Sequence, residues 1–189
     1  MVIWLIIIAA AVAVDQASKW LVICFLDREE PFVLIDGVLR FSYVENSGAA
    51  FGSFSDMRWI FIVISVIGII AMLVYLWKFR PKSKWACTAL SLVIGGGIGN
   101  MIDRLFYTGT LEKTIGENVV IDFIDFYAFP NLWKWVFNVA DSFVCVGAGI
   151  LIVWCFKAAI DEAKAEKAKK KLAAASSEAD APTEDGNKE

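Results

Sequence analysis

Four apolar runs, each near the length needed to cross a lipid bilayer, constrain this chain more than any other feature. They cover about residues 2–26, 60–77, 85–102 and 136–156. The second and third hold 18 residues each without a charge, and the fourth holds 21 with Asp141 as its single charge. A helix rises about 1.5 Å per residue, so a hydrocarbon core of ~30 Å takes roughly 20 residues. The 58% apolar content fits a membrane protein, since soluble domains run at about 45–50%. The first run reads as a retained helix. Its start, MVIWLIII, lacks the Lys or Arg of a signal-peptide leader, and the apolar pattern resumes from Trp20 to Leu26. The expected fold is all-α: a bundle of four transmembrane helices with a small extracytoplasmic β-sheet and an outer loop or helix over the site.

The charges predict which way the bundle faces. Lys78, Arg80, Lys82 and Lys84 lie between the second and third runs without an acid, and Lys157, Lys164, Lys167 and Lys169–Lys171 follow the fourth. The positive-inside rule places both groups, and with them both termini, in the cytoplasm. Residues 27–59 and 103–135 then face outward. The stretch PFVLIDGVLRFSYVENSGAAFGSF (31–54) carries β-branched and aromatic residues with Gly breaks, which predicts a short sheet or hairpin at the membrane surface. Residues 1–156 form the expected membrane domain. The Ala/Lys/Glu-rich segment after 157 reads as an exposed helix with a basic stripe near anionic membrane lipid, and the last acidic stretch to 189 as a disordered tail.

The chain has no histidine, which removes Ser-His and Cys-His nucleophiles and histidine-held metals. The four cysteines lie singly in apolar runs and read as small hydrophobes, so neither a metal nor a cofactor is called for. A net charge of −3 with no basic face argues against nucleic acid. Acid–base chemistry falls to carboxylates, lysine, tyrosine or cysteine.

An Asp at mid-helix in a bilayer costs ~2.5–3.5 kcal/mol on insertion scales, so such residues need a partner or a function. Asp15 and Lys19 stand one turn apart on the first span and suit an ion-paired brace between helices. On the third, Gly95 and Gly99 form a small-residue face for close helix approach. Asn100, Asp103 and Arg104 follow within about one turn. They suit either helix packing with a terminal salt bridge or an Arg that holds a headgroup or a carbonyl. On the fourth, Asn138, Asp141 and Ser142 share a turn, and Asp141 has no cation one turn away on its own helix. The VVIDFIDF segment, read as part of an outer loop, offers Asp122 and Asp125. One of these beside Asp141 would make a carboxyl pair that shares a proton, able to activate water and to donate to a carbonyl.

Five segments in order resemble the bacterial lipoprotein signal peptidase family: DQASK (15–19), NSGAAFG (46–52), GGGIGNMIDR (95–104), VIDFIDFY (120–127) and FNVADS (137–142). The resemblance covers about residues 1–156. It implies an aspartic endopeptidase of the bacterial inner membrane that removes signal peptides from diacylglyceryl-modified prolipoproteins, just before the lipid-bearing cysteine. The implied catalytic pair is Asp122 and Asp141. The resemblance assigns Asn46, Gly48, Asn100, Arg104 and Asn138 to the substrate pocket, with Asp15, Lys19 and Asp103 as support. Globomycin-type cyclic peptides are the implied inhibitors, and Asp125 has no implied role. The stretch TGTLEKTIGEN (108–118) looks longer than the family's usual link and should alter the loop over the site. The residues also leave room for a Ser-Lys hydrolase built on Ser142 or Ser47 with Lys134 or Lys19, and for a non-enzymatic bundle. The GxGD signature of other intramembrane aspartyl proteases is missing.

Overall fold

The computed structural model describes residues 2–48, 58–79, 81–129 and 133–179. The chain divides into two compact units, Met1–Leu151 and Ile152–Glu189. Helix α1 runs Val2–Phe25, α2 Arg58–Val74, α3 Lys84–Phe106 and α4 Val139–Ala179, with a π-helical turn, Tyr75–Phe79, ending α2. Among the described residues, four helical segments are long and apolar enough to cross a membrane.

Helix α3 is the central one, because its sequence lets neighbours approach. A Cβ at Gly95 would fall 2.6 Å from the Ala11 Cβ of α1, and one at Gly96 would strike the Ala140 carbonyl of α4. The backbones therefore meet where a larger residue would hold them apart. Ile8, Ile69, Leu76, Cys87, Leu90 and Ile94 pack a core among α1, α2 and α3. The outward faces stay apolar and exposed, as with Leu5, Ile64, Ile67 and Val146, which suits contact with lipid tails. Ser83 caps α3 by accepting from the Ala86 N–H.

Strands β1 (Phe32–Ile35), β2 (Leu39–Asn46), β3 (Val120–Phe126) and β4 (Val136–Phe137) form one antiparallel sheet in that order. Gly37, at φ 71°, turns the β1–β2 hairpin. One extra residue in β2 between Phe41 and Val44 makes a bulge against β3. Tyr43, Val119 and Ile121 pack against Val22 and Ile23 of α1 and Leu26 just beyond it.

One boundary and one element type differ from the expected ones. The fourth span does not begin at Val136: Val136 and Phe137 pair with Asp125 and Ile124 at the sheet edge, and the helix starts at Val139. Both residues are apolar enough for either role, so composition alone extends the span too far. The VVIDFIDF segment is an inner strand of the sheet and not a loop. Its β-branched, alternating residues pair on both sides, with β2 and β4. Between α3 and β3, residues 107–118 form a loop closed by bridges from Thr108 to Asn118 and Gly109 to Ile115.

Candidate active site

The short β3–β4 pairing sets the position of the site. Ile124 faces Phe137 across the ladder, so the next residue, Asn138, arrives beside β3 just as α4 begins. Asn138 caps that helix: its Oδ1 accepts from the Asp141 N–H at 2.9 Å. The Asp141 Oδ2 in turn accepts from the Asn138 N–H at 3.2 Å. This is a capping box, which satisfies donors that a helix start would otherwise leave bare. The N-x-x-D spacing at 138–141 is the signal for it in the sequence. The remaining amide of Asn138 reaches Asp122 Oδ1 at 2.6 Å. Asp122 and Asp141 are thus linked through one fully buried asparagine.

Each carboxylate has a second donor. Asn46 Nδ2 donates to Asp122 Oδ2 at 2.8 Å, and Asn100 Nδ2 donates to Asp141 Oδ1 at 2.7 Å. Asn46 is itself held by a turn, because the Gly48 N–H donates to its Oδ1 at 2.9 Å and so aims the amide nitrogen at Asp122. Gly48 adopts φ 83°, a left-handed conformation that favours glycine. The rest of the NSGAAFG segment, residues 49–52, lies outside the described residues.

Asp122 is buried, whereas Asp141 is half-buried. Burial pushes the Asp122 carboxyl up to about 7, and the charge of Asp141 adds to that. Donors from Asn46 and Asn138 and the charge of Lys19 only partly oppose the rise.

Beneath the pair lies a polar cluster between α1 and α3. Lys19 Nζ donates to Asp15 Oδ2 at 2.8 Å and to Asn100 Oδ1 at 2.9 Å. It also lies 2.7 Å from Asp103 Oδ2, a charge contact not angled as a hydrogen bond. Asp103 therefore pairs with Lys19 across the bundle and not with its neighbour Arg104. Arg104 is half-buried and forms no hydrogen bond or salt bridge among the described residues. Gln16 ties the cluster further, donating to Asp103 Oδ1 at 2.8 Å and to the Gly99 carbonyl at 3.1 Å. Asp15 also reaches α4, where its Oδ1 accepts from the Ala140 N–H at 2.8 Å and occupies another donor at the start of that helix.

Asp125 lies elsewhere. An odd separation on one strand turns it away from Asp122, and it pairs with Arg40 at 2.7 Å and accepts from Ser42 at 3.1 Å. The Ser142 hydroxyl donates to the Asn138 carbonyl at 3.1 Å, and Lys19 is taken up by its own cluster, so these two do not form a Ser-Lys pair. One group escaped the sequence reading altogether. The buried Glu45 accepts from the Thr110 and Leu111 N–H groups and from the Thr110 and Thr114 hydroxyls. It clamps the 107–118 loop to β2. No local pattern marks a strand glutamate for such a role.

Fold and site together define a membrane protein with a pair of bridged carboxyl groups where a helix bundle meets a small sheet. The same architecture occurs in a bacterial membrane enzyme solved by the in meso method at 1.9 Å resolution. That structure matches with a TM-score of 0.71 and 27% identity, over 83% of this chain and 94% of that one. A lipoprotein signal peptidase of Halalkalibacterium halodurans is 39% identical over 88% of this chain and 98% of its own length. Another, from Geobacillus thermodenitrificans, is 35% identical over 82% of this chain and 90% of its own. The signal peptidase II profile matches residues 7–157, and the chain belongs to that family. Membership indicates a protease.

Proposed function

We propose that this chain is an aspartic endopeptidase that removes signal peptides from diacylglyceryl-modified prolipoproteins, cutting before the lipidated cysteine. The observation that carries this reading is the bridge from Asp122 through Asn138 to Asp141, in a family of signal peptidases. The curated relatives named lipoprotein signal peptidase support the substrate class.

Asp122, with its carboxyl at about 7, holds a proton over much of the neutral range and serves as the acid. Asp141 takes a proton from water, whose oxygen bonds to the scissile carbonyl carbon. Asp122 gives its proton to the carbonyl oxygen, so a neutral gem-diol forms. Collapse returns a hydroxyl proton to Asp122 and breaks the C–N bond. The leaving amine takes the proton from Asp141, and both groups are restored. No covalent intermediate forms. Asn46, Asn100 and Asn138 orient the pair, Gly48 holds Asn46, and Arg104 is left to bind the substrate backbone. Asp15, Lys19 and Asp103 brace the helices beneath.

The charge pattern supports an orientation with both termini in the cytoplasm and the pair toward the extracytoplasmic side of the bacterial inner membrane. Exported precursors arrive on that side. Globomycin-type peptides would occupy the same pocket. The test is cleavage of a diacylglyceryl-modified precursor peptide against its unlipidated form, with a globomycin-type inhibitor added. Selective, inhibitor-sensitive cutting before the cysteine is expected. Equal cutting of both peptides, or none, would contradict the reading.

A further inference from the structure

A carboxamide has an accepting end and a donating end of nearly the same shape, so its neighbours decide which way it points. An ammonium only donates. Lys19 Nζ sits 2.9 Å from one end of Asn100, and that end must be the oxygen. The nitrogen of Asn100 then faces Asp141 Oδ1 at 2.7 Å. The same oxygen accepts from Asn138 Nδ2 at 3.0 Å, and that nitrogen also donates to Asp122 Oδ1 at 2.6 Å. The other end of Asn138 accepts from the Asp141 N–H at 2.9 Å, which requires the same orientation independently. Lys19 and Asn138 thus both donate to the Asn100 oxygen, while the amide nitrogens of Asn100 and Asn138 are turned to Asp141 and Asp122.

We propose that Lys19 is a positioning residue for proteolysis, acting through Asn100 to keep its amide donor aimed at Asp141. This rests on the carboxyl-pair reading. Without the ammonium, the Asn100 oxygen loses one of its two donors, and only Asn138 Nδ2 and Asp141 Oδ1 still hold the amide, so its donor is less firmly aimed at Asp141. Among the described residues, the charged groups beside the pair are Asp15 and Lys19 from α1 and Asp103 from α3, while Glu45 of β2 is turned to the 107–118 loop. The competing role for Lys19 is a brace between α1 and α3 with no effect on the chemistry.

Lys19→Met alone would strand Asp15 and Asp103, so the variant to use is K19M/D103N. It removes one positive and one negative charge and leaves the net charge of the cluster unchanged. The full chain is assayed in detergent on a diacylglyceryl-modified precursor peptide. The folded double variant should keep KM within about twofold while kcat falls ~10- to 100-fold, the scale of loss for a misaimed catalytic group. The alkaline limb of kcat, set by Asp122, should move to higher pH once the field of Lys19 is gone. Lys19→Arg keeps a donor-only cation and should hold the limb in place. A parent-like kcat and limb in K19M/D103N would overturn the proposal, as would an equal limb shift in Lys19→Arg. Asp122→Asn and Asp141→Asn run alongside. If both are inactive while K19M/D103N behaves as the parent, only the role of Lys19 falls. Turnover by either Asn variant defeats the carboxyl pair itself.

Discussion

Asn138 and Asp141 cap one another at the first turn of α4, side chain to backbone in both directions, at 2.9 and 3.2 Å. The same asparagine holds Asp122. One residue thus starts the helix and joins the carboxyl groups, which ties the start of α4 to the proposed catalytic pair. Asn138→Ala should cost stability and turnover together. Stranding its buried partners is worth about 1–3 kcal/mol, visible as a lower thermal midpoint in detergent. A variant with parent-like melting and parent-like kcat would contradict the bridge.

The glycines of α3 make a sharper test of packing. A Cβ at Gly99 would run into the Asp15 carboxylate, whereas one at Gly149 of α4 meets nothing within 4 Å. Gly99→Ala should destabilise the protein by ~1–3 kcal/mol, as overpacking does. Gly149→Ala should be neutral or stabilising by up to about 1 kcal/mol, through helix propensity. Thermal melts of the two variants check this, and a neutral Gly99→Ala would refute the close approach of α1 and α3.

Asp122 sets a pH dependence. Its carboxyl is pushed up to about 7, chiefly by burial, and in the proposed role of acid it must be protonated to work. Activity should therefore fall as the pH rises through about 7. The Asn46 bond favours the charged form of Asp122, so Asn46→Ala should move this alkaline limb to higher pH. A pH–kcat profile of parent and variant decides it. A limb that moves down would contradict the geometry.

Glu45 sets another dependence, in the loop. Burial alone would raise its carboxyl, yet donors from Thr114, Leu111 and Thr110 outweigh that and hold it below the ordinary range. A group depressed on folding contributes stability that is whole above its unfolded value and is lost as the pH falls through the folded one. Amide hydrogen exchange at Thr110 and Leu111 should accelerate, relative to intrinsic rates, on acidification. Glu45→Gln should show the faster exchange already at neutral pH. Exchange unaffected by the substitution would mean the loop is held by other contacts.

The helices were legible because long apolar runs have few other uses, and the Asp15–Lys19 pair because both partners lie on one helix. Partners on different elements left no such trace. Asp103 stands next to Arg104 in sequence, but packing of α1 on α3 gives it Lys19 instead. Val136 and Phe137 read as span and are strand, since apolarity serves a sheet edge and a membrane helix alike. Asn138 was visible as a neighbour of Asp141. Its grip on Asp122 depends on a β3–β4 ladder that no local spacing encodes.

The most direct measurement of the central claim is turnover of a diacylglyceryl-modified precursor peptide by Asp122→Asn, Asp141→Asn and Asp125→Asn, each confirmed as folded. The account predicts no detectable cleavage by the first two and retained cleavage by the third, whose carboxylate is spent on Arg40 and Ser42. Substantial turnover by Asp122→Asn or Asp141→Asn would contradict it.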